Sequence, residues 1–107
     1  MTKVGEHVTL DIIGTTQEYD PSLFESVIHK IAKAAEVTVL EISKYKFEPQ
    51  GFTILALLAE SHISFHTFPE KGIISFDFFT CGKISPSIAL DIVKKEFKHK
   101  RIVIKKF

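Results

Sequence analysis

Helix-type periodicity is confined to two short stretches of this 107-residue chain, which limits the folds open to it. The first stretch repeats apolar residues at three- and four-residue spacing: Leu23, Phe24, Val27, Ile28 and Ile31. It follows Asp20-Pro21, a pair that suits the cap and the first position of a helix. A second helix is predicted to open at Ser85-Pro86, with these residues on its inner face: Ile88, Ala89, Ile92, Val93 and Phe97.

The remaining apolar segments are typical of strands, because they are short and end at turn-forming residues. They are His7–Ile13, Val37–Ile42, Phe52–Leu58, Ile63–Phe68, Ile73–Phe79 and Ile102–Ile104. Phe52–Leu58 is apolar at odd and even positions, so it is predicted to be buried on both faces. The two strands that flank Pro69–Gly72 are predicted to form a hairpin.

The predicted order, β-α-β-β-β-β-α-β, favours an α+β fold in one domain, residues 1–107. Two helices can cover one face of a six-stranded sheet but not both. We therefore expect a two-layer α/β sandwich, with a mainly antiparallel sheet and both helices on one face. The uncovered face is expected to pair with a second copy of the chain.

Composition excludes several classes of protein. The formal net charge is +1, so bulk charge gives no support for binding to nucleic acid or to a membrane surface. No apolar run approaches the roughly 20 residues that span a bilayer, and no targeting segment is visible at the N-terminus. Cys81 is the one cysteine and cannot form an internal disulfide, which favours a reducing, cytoplasmic location.

Reactive side chains are concentrated between Leu58 and Gly82, among apolar neighbours that make unpaired polar groups costly. Ser61, His66 and Cys81 together suggest nucleophilic catalysis. The hydrolase motif Gly-x-Ser-x-Gly is absent, however, and the chain is short for a Cys–His protease. His62 and His66 would share one strand face but offer only two metal ligands, so no metal site is expected.

Two blocks of sequence carry a more specific signal. Ala59-Glu-Ser-His-Ile-Ser-Phe-His-Thr-Phe-Pro-Glu70, followed by Asp77-Phe-Phe-Thr-Cys-Gly82, closely resembles the signature of prokaryotic S-adenosylmethionine decarboxylase proenzymes. Gly5–Asp11 and Lys46–Gly51 also resemble this family. The resemblance covers the chain from about Gly5 to the C-terminal strand.

This resemblance implies that the chain cleaves itself at Glu60–Ser61, into fragments 1–60 and 61–107. It also implies that Ser61 becomes a covalent pyruvoyl group, which forms a Schiff base with the substrate. By position, His66 matches the family residue that transfers protons during processing, and Cys81 matches the proton donor in decarboxylation. Residues 61 and 66 have opposite parity, so we expect a turn or bulge between Ala59 and His62.

The resemblance also implies a substrate site. Phe47 and Phe68 match aromatic binding residues of the family, and Glu70 matches the carboxylate that bonds the ribose hydroxyls. Aromatic faces attract a sulfonium cation and stack on adenine. Members of the family often have Trp where this chain has Phe68, so the chain departs from the family pattern at a substrate-binding position. The alternatives are that Phe68 packs against its neighbours and that Glu70 faces water.

The implied function is decarboxylation of S-adenosylmethionine to S-adenosylmethioninamine for spermidine and polyamine biosynthesis, by a homodimer of cleaved protomers with active sites near the interface. One alternative keeps the pyruvoyl chemistry but acts on arginine or ornithine. The other is a non-catalytic binding module of the same fold. Glu60-Ser61, His66 and Cys81 are all present, which favours the enzyme.

Overall fold

A computed structural model describes residues 4–15 and 19–107 of the chain. Six strands and two α-helices follow in the predicted order: β1 Glu6–Ile13, α1 Pro21–Ala35, β2 Val39–Lys46, β3 Phe52–Leu58, β4 Ser61–Phe68, β5 Ile73–Thr80, α2 Ser87–Glu96 and β6 Arg101–Lys106. A short 3₁₀ turn, Pro69–Lys71, connects β4 to β5. The α+β prediction is confirmed.

Helix α1 begins where the sequence predicts. The Asp20 carboxylate accepts a hydrogen bond from Ser22 N–H at 2.9 Å, and Pro21 occupies the first turn. This hydrogen bond holds the pKa of the Asp20 carboxyl below its ordinary value. The helix ends at Glu36, which adopts a left-handed conformation (φ 55°).

The strands form one sheet in the order β2-β3-β4-β5-β1-β6, and every neighbouring pair is antiparallel. Strand β4 carries most of the first block of the family motif and lies between β3 and β5. It pairs with β3 through Leu58↔Ser61 and with β5 through Ser61↔Thr80. Ala59 and Glu60 are therefore the two residues of the β3–β4 turn.

The core lies between one face of this sheet and the two helices. Phe24 of α1 makes edge-to-face contacts with Phe52 and Phe65 of the sheet, at ring-centroid distances of 5.0 and 5.1 Å. These three rings are at least 93% buried. Burial of each such side chain stabilises the fold by about 1.5–3 kcal/mol.

The opposite face of the sheet, here called the open face, is not covered by either helix. Strand β3 is therefore buried on one face only, and the prediction that it is buried on both is wrong for a single chain. Leu55 and Leu57 lie on the open face and are 47% and 50% exposed.

In α2, Ile88 is exposed, so its prediction as an inner residue is wrong, and Leu90 is buried instead. Leu90 lies three residues before Val93 and seven before Phe97, which is the spacing of one helix face. The helix also starts at Ser87 and not at Ser85-Pro86.

Within residues 4–15 and 19–107, neither helix has the length and apolar character that a membrane crossing requires.

Candidate active site

Strand β4 places Ser61 and His66 on opposite faces of the sheet. Its pairing with β3 and β5 is regular from Ser61 onward, so side chains alternate without a break. The expected turn is present at Ala59–Glu60, but it ends before Ser61. The expectation that a turn or bulge would bring Ser61 onto the face of His66 is therefore wrong. Ser61 lies on the helix side, and His66 lies half-buried on the open face.

The first group of candidate residues is called the Ser61 end and comprises Glu60, Ser61, Thr80 and Cys81. Ser61 is 9% exposed, and its hydroxyl donates to Thr80 Oγ1 at 2.6 Å. The carbonyl oxygen of Glu60 accepts a hydrogen bond from Cys81 N–H at 2.9 Å. Ser61 and the Glu60 carbonyl lie on either side of the predicted cleavage bond. Both are thus hydrogen-bonded to residues at the end of β5, Thr80 and Cys81.

Cys81 follows β5 directly, and its free thiol belongs to an exposed residue. It lines a small cleft of about 150 Å³ together with Gly5, Glu6 and Ser85. A proton donor at this position can be reached from solvent and lies one residue from Thr80.

The second group is called the Phe68 end and comprises Phe47, Thr53, His66, Phe68 and Glu70. His66 Nδ1 and Thr53 Oγ1 are joined by a hydrogen bond of 2.9 Å across the β3–β4 pair. This bond fixes the orientation of the imidazole ring and leaves Nε2 for another partner.

The predicted binding residues of the Phe68 end are accessible. Phe47 is 50% exposed and Phe68 is 38% exposed, so neither is a core residue. Lys71 Nζ lies 5.8 Å from the centroid of the Phe68 ring. Glu70 is exposed, and its carboxylate accepts a long hydrogen bond of 3.4 Å from Gln50 Nε2.

A large cleft in the described part of the chain borders this group at Phe47 only, and Ser61 does not line it. It has a volume of about 870 Å³ and is lined by Phe47, Gln50, Gly51 and Thr67, with charged residues of α1 and β2 on its other side. Gly51 has φ +92°, and a Cβ there would lie 3.0 Å from the carbonyl oxygen of Thr67. This glycine allows the Phe47–Gly51 loop to approach β4.

Residues 6–107 match the family described as S-adenosylmethionine decarboxylase. The chain belongs to the S-adenosylmethionine decarboxylase family. The sequence-based assignment is therefore confirmed, as is the prediction of a decarboxylase proenzyme at the level of the family.

Curated relatives and one solved structure agree with this assignment. The S-adenosylmethionine decarboxylase proenzyme of Prochlorococcus marinus is 39% identical over 97% of this chain and 86% of its own length. That of Brevibacillus brevis is 37% identical over 95% and 79%, and that of Pyrobaculum neutrophilum is 35% identical over 92% and 83%. The crystal structure of the adenosylmethionine decarboxylase from Aquifex aeolicus superposes with a TM-score of 0.86 at 30% identity, and covers 100% of this chain and 91% of that one.

The two ends of this family site are far apart within one chain. Ser61 and His66 are five positions apart along an extended strand, or about 17 Å, and Ser61 and Phe68 are seven positions apart, or roughly 24 Å. One copy therefore does not bring Ser61 and Cys81 together with His66 and Phe68.

Several functional candidates were missed in the sequence. Thr80 and Thr53 are adjacent to Ser61 and His66 only through strand pairing, which the sequence does not specify.

A third cluster lies on the open face, where Asp77 Oδ1 is 2.9 Å from His7 Nε2 and 3.5 Å from His62 Nε2. His62 also stacks on Phe79, with the ring planes 18° apart. The position of His62 next to Ser61 was a signal for this cluster in the sequence. The sequence does not show, however, that Asp77 is the carboxylate partner of His62.

Proposed function

We propose that this chain cleaves itself between Glu60 and Ser61 and, once cleaved, decarboxylates S-adenosylmethionine. The observation that supports this most directly is the pair of hydrogen bonds at the Ser61 end. Cys81 N–H bonds the Glu60 carbonyl oxygen, and Thr80 Oγ1 bonds the Ser61 hydroxyl. Ser61 Oγ is the atom that would attack the Glu60 carbonyl carbon, and the Glu60 oxygen is the atom on which negative charge would develop.

In the first step, Ser61 Oγ attacks the carbonyl carbon of Glu60. A C–O bond forms, the C–N bond breaks, and the hydroxyl proton passes to the released nitrogen of Ser61, so the amide becomes an ester. Negative charge develops on the Glu60 oxygen during this attack. Cys81 N–H already donates to that oxygen and stabilises the charge without reorganisation.

In the second step, a base removes the Cα proton of residue 61. The Cβ–O bond breaks and Glu60 leaves as a carboxylate. The remaining enamine tautomerises to an imine, and one water hydrolyses it with release of one ammonia. We assign the base to His66 of a second copy, because His66 of the same chain lies about 17 Å from Ser61. The ring of this histidine is oriented by Thr53.

The product of these steps is a pyruvoyl group on the second fragment, and the residues around Ser61 fit it. Ser61 is the first residue of β4 and directly follows the Ala59–Glu60 turn. Cleavage there would leave the pyruvoyl group at the start of this strand. When present, the group supplies a carbonyl that condenses with the substrate amine and accepts the electrons left by CO₂. Cys81 Sγ is assigned to return a proton to the substrate α-carbon.

The Phe68 end is assigned to the substrate. S-adenosylmethionine has a sulfonium cation and an adenine ring, and both are attracted to exposed aromatic faces. The Phe68 ring is 38% exposed and the Phe47 ring is 50% exposed, so both are accessible to such a ligand. Glu70 is assigned to the ribose hydroxyls. The expected product, S-adenosylmethioninamine, would supply aminopropyl groups for spermidine and other polyamines.

We also propose a homodimer through the open face, because one chain separates the two ends of its site. Two sheets can stack face to face around a two-fold axis that lies between them and runs across the strands. This axis places the Ser61 end of each copy over the Phe68 end of its partner. The half-exposed Leu55 and Leu57 of the open face would be buried by this pairing.

The substrate assignment is tested by release of CO₂ from carboxyl-labelled S-adenosylmethionine, arginine and ornithine, each supplied to the cleaved protein. Release from S-adenosylmethionine alone is expected. Release from arginine or ornithine instead would keep the pyruvoyl mechanism but overturn the substrate. No release from any of the three, with an uncleaved chain, would favour a binding module.

A further inference from the structure

We propose that Thr80 is a positioning residue for self-cleavage, which holds the Ser61 hydroxyl ready for attack on Glu60. This inference rests on the proposed self-cleavage and adds a residue to it. The Thr80 side chain faces Ser61 across the β4–β5 pair, and the two hydroxyl oxygens are 2.6 Å apart. Thr80 is 2% exposed and Ser61 is 9% exposed, so water competes little for this bond.

The Thr80 oxygen is itself held in place. Gly82 N–H donates to Thr80 Oγ1 at 2.9 Å, and threonine has few χ1 rotamers because it is β-branched. A Cβ on Gly82 would lie 3.1 Å from the same oxygen, so the glycine leaves room for this contact. Thr80 Oγ1, which accepts from the Ser61 hydroxyl, is thus held by a backbone N–H and not by a flexible side chain.

Three consecutive residues therefore position both reacting groups. Thr80 holds the nucleophilic oxygen, Cys81 N–H holds the oxygen of the attacked carbonyl, and Gly82 N–H holds Thr80. Misplacement of reacting atoms by 1 Å can cost about 100-fold in rate. Thr80 is not expected to take up the proton, since a neutral hydroxyl is a poor base. Its effect is on alignment.

The role is restricted to one step. Ester formation needs the Ser61 hydroxyl, but elimination from the ester does not. Loss of the Thr80 hydroxyl should therefore leave an uncleaved amide, whereas loss of His66 should leave an uncleaved ester. Hydroxylamine cleaves esters at neutral pH and leaves ordinary amides intact, and the chain has no asparagine that would add a hydroxylamine-sensitive Asn–Gly bond.

The experiment follows cleavage by intact mass after cell-free synthesis of the wild type, Thr80→Val and Thr80→Ser. Valine keeps the shape of threonine without its hydroxyl, and serine keeps the hydroxyl. We expect Thr80→Val to cleave about 10- to 100-fold more slowly than the wild type, and its uncleaved chain to resist hydroxylamine. Thr80→Ser is expected to restore cleavage to within about three-fold of the wild type, since it keeps the acceptor.

Cleavage of Thr80→Val at the wild-type rate would overturn the proposal for Thr80 and leave self-cleavage intact. Slow cleavage of both variants would also overturn it, because the effect would then not depend on the hydroxyl. A wild type that never cleaves would instead contradict the proposed function.

A second variant decides the matter if Thr80→Val fails to fold, as judged by circular dichroism. Gly82→Ala keeps the Thr80 hydroxyl but displaces it by a few tenths of an ångström. A folded Gly82→Ala that cleaves more slowly than the wild type supports the proposal. One that cleaves at the wild-type rate contradicts it.

Discussion

The two ends of strand β4 differ in how complete they are within one chain. At the Ser61 end, the nucleophile, the carbonyl and their hydrogen-bond partners are all in contact, and Ser61 and Thr80 are buried. At the Phe68 end, the aromatic and acidic side chains are exposed and contact no group of the Ser61 end. The difference is the reason for our proposal that the first step of self-cleavage is local and that the later steps use residues from a second copy.

The largest expected effect is at the Ser61 end. Ser61→Ala removes the nucleophilic oxygen, so no ester can form and cleavage should be abolished. Ser64→Ala is the matched control, because Ser64 lies in the same strand and is equally buried, at 9% exposed. Intact mass after long incubation measures both. Cleavage of Ser61→Ala at Glu60 would show that another group acts as the nucleophile.

The next prediction tests whether the two ends come from different copies. His66→Ala alone should stop at the ester and accumulate uncleaved chains. Co-expression of His66→Ala with Ser61→Ala should restore cleavage, because a mixed dimer has one complete site, with Ser61 from one chain and His66 from the other.

The readout is the mass of each chain, with the two variants carrying different tags. Only His66→Ala chains should be cleaved, and only when Ser61→Ala chains are present. The absence of rescue in a preparation shown to contain mixed dimers would contradict the composite site.

The sequence predicted the fold well because the fold depends on local patterns. Helix α1 is specified by its Asp20-Pro21 start and its apolar spacing, and the number of helices relative to strands limited the architecture to two layers. The boundaries of α2 and the exposure of β3 were predicted less well. Those properties depend on which face of the element is covered by another layer. An apolar run in the sequence does not show which face this is.

The candidate site was predicted residue by residue but not as an arrangement. Ser61, His66 and Cys81 were identified from the family motif, and the parity of Ser61 and His66 raised the question of their faces. Thr80 and Thr53 were not found, because their roles depend on strand pairing across 13 to 19 residues of sequence. Motif spacing does not reveal such neighbours.

A smaller effect is expected at the Phe68 end when the orientation of His66 is disturbed. Thr53→Ala removes the hydrogen bond to His66 Nδ1, and one such bond contributes about 0.5–1.5 kcal/mol, or roughly 2- to 13-fold in rate. Thr53→Ser keeps the hydroxyl and should cleave like the wild type. The rate of the elimination step, followed as loss of hydroxylamine-sensitive chain, measures the effect. Equal rates for Thr53→Ala and the wild type would show that His66 needs no such support.

The smallest effect is expected far from both ends, at the cap of α1. Asp20→Asn keeps a capping side chain but removes its charge, so a small drop in thermal midpoint is expected at neutral pH. The pKa of Asp20 is lowered in the fold, so the contribution of its charge is complete above the ordinary value and is lost as pH falls through the lowered value. The two thermal midpoints should therefore converge in acid. A difference that persists or grows there would contradict this assignment.

The most direct test of self-cleavage is the intact mass of the purified protein under denaturing conditions. Self-cleavage should give two fragments, Met1–Glu60 and Ser61–Phe107, with the second lighter by one ammonia than the same fragment with an unmodified Ser61. A single chain of 12.1 kDa that persists after long incubation at several temperatures would contradict it, since no pyruvoyl group would then exist.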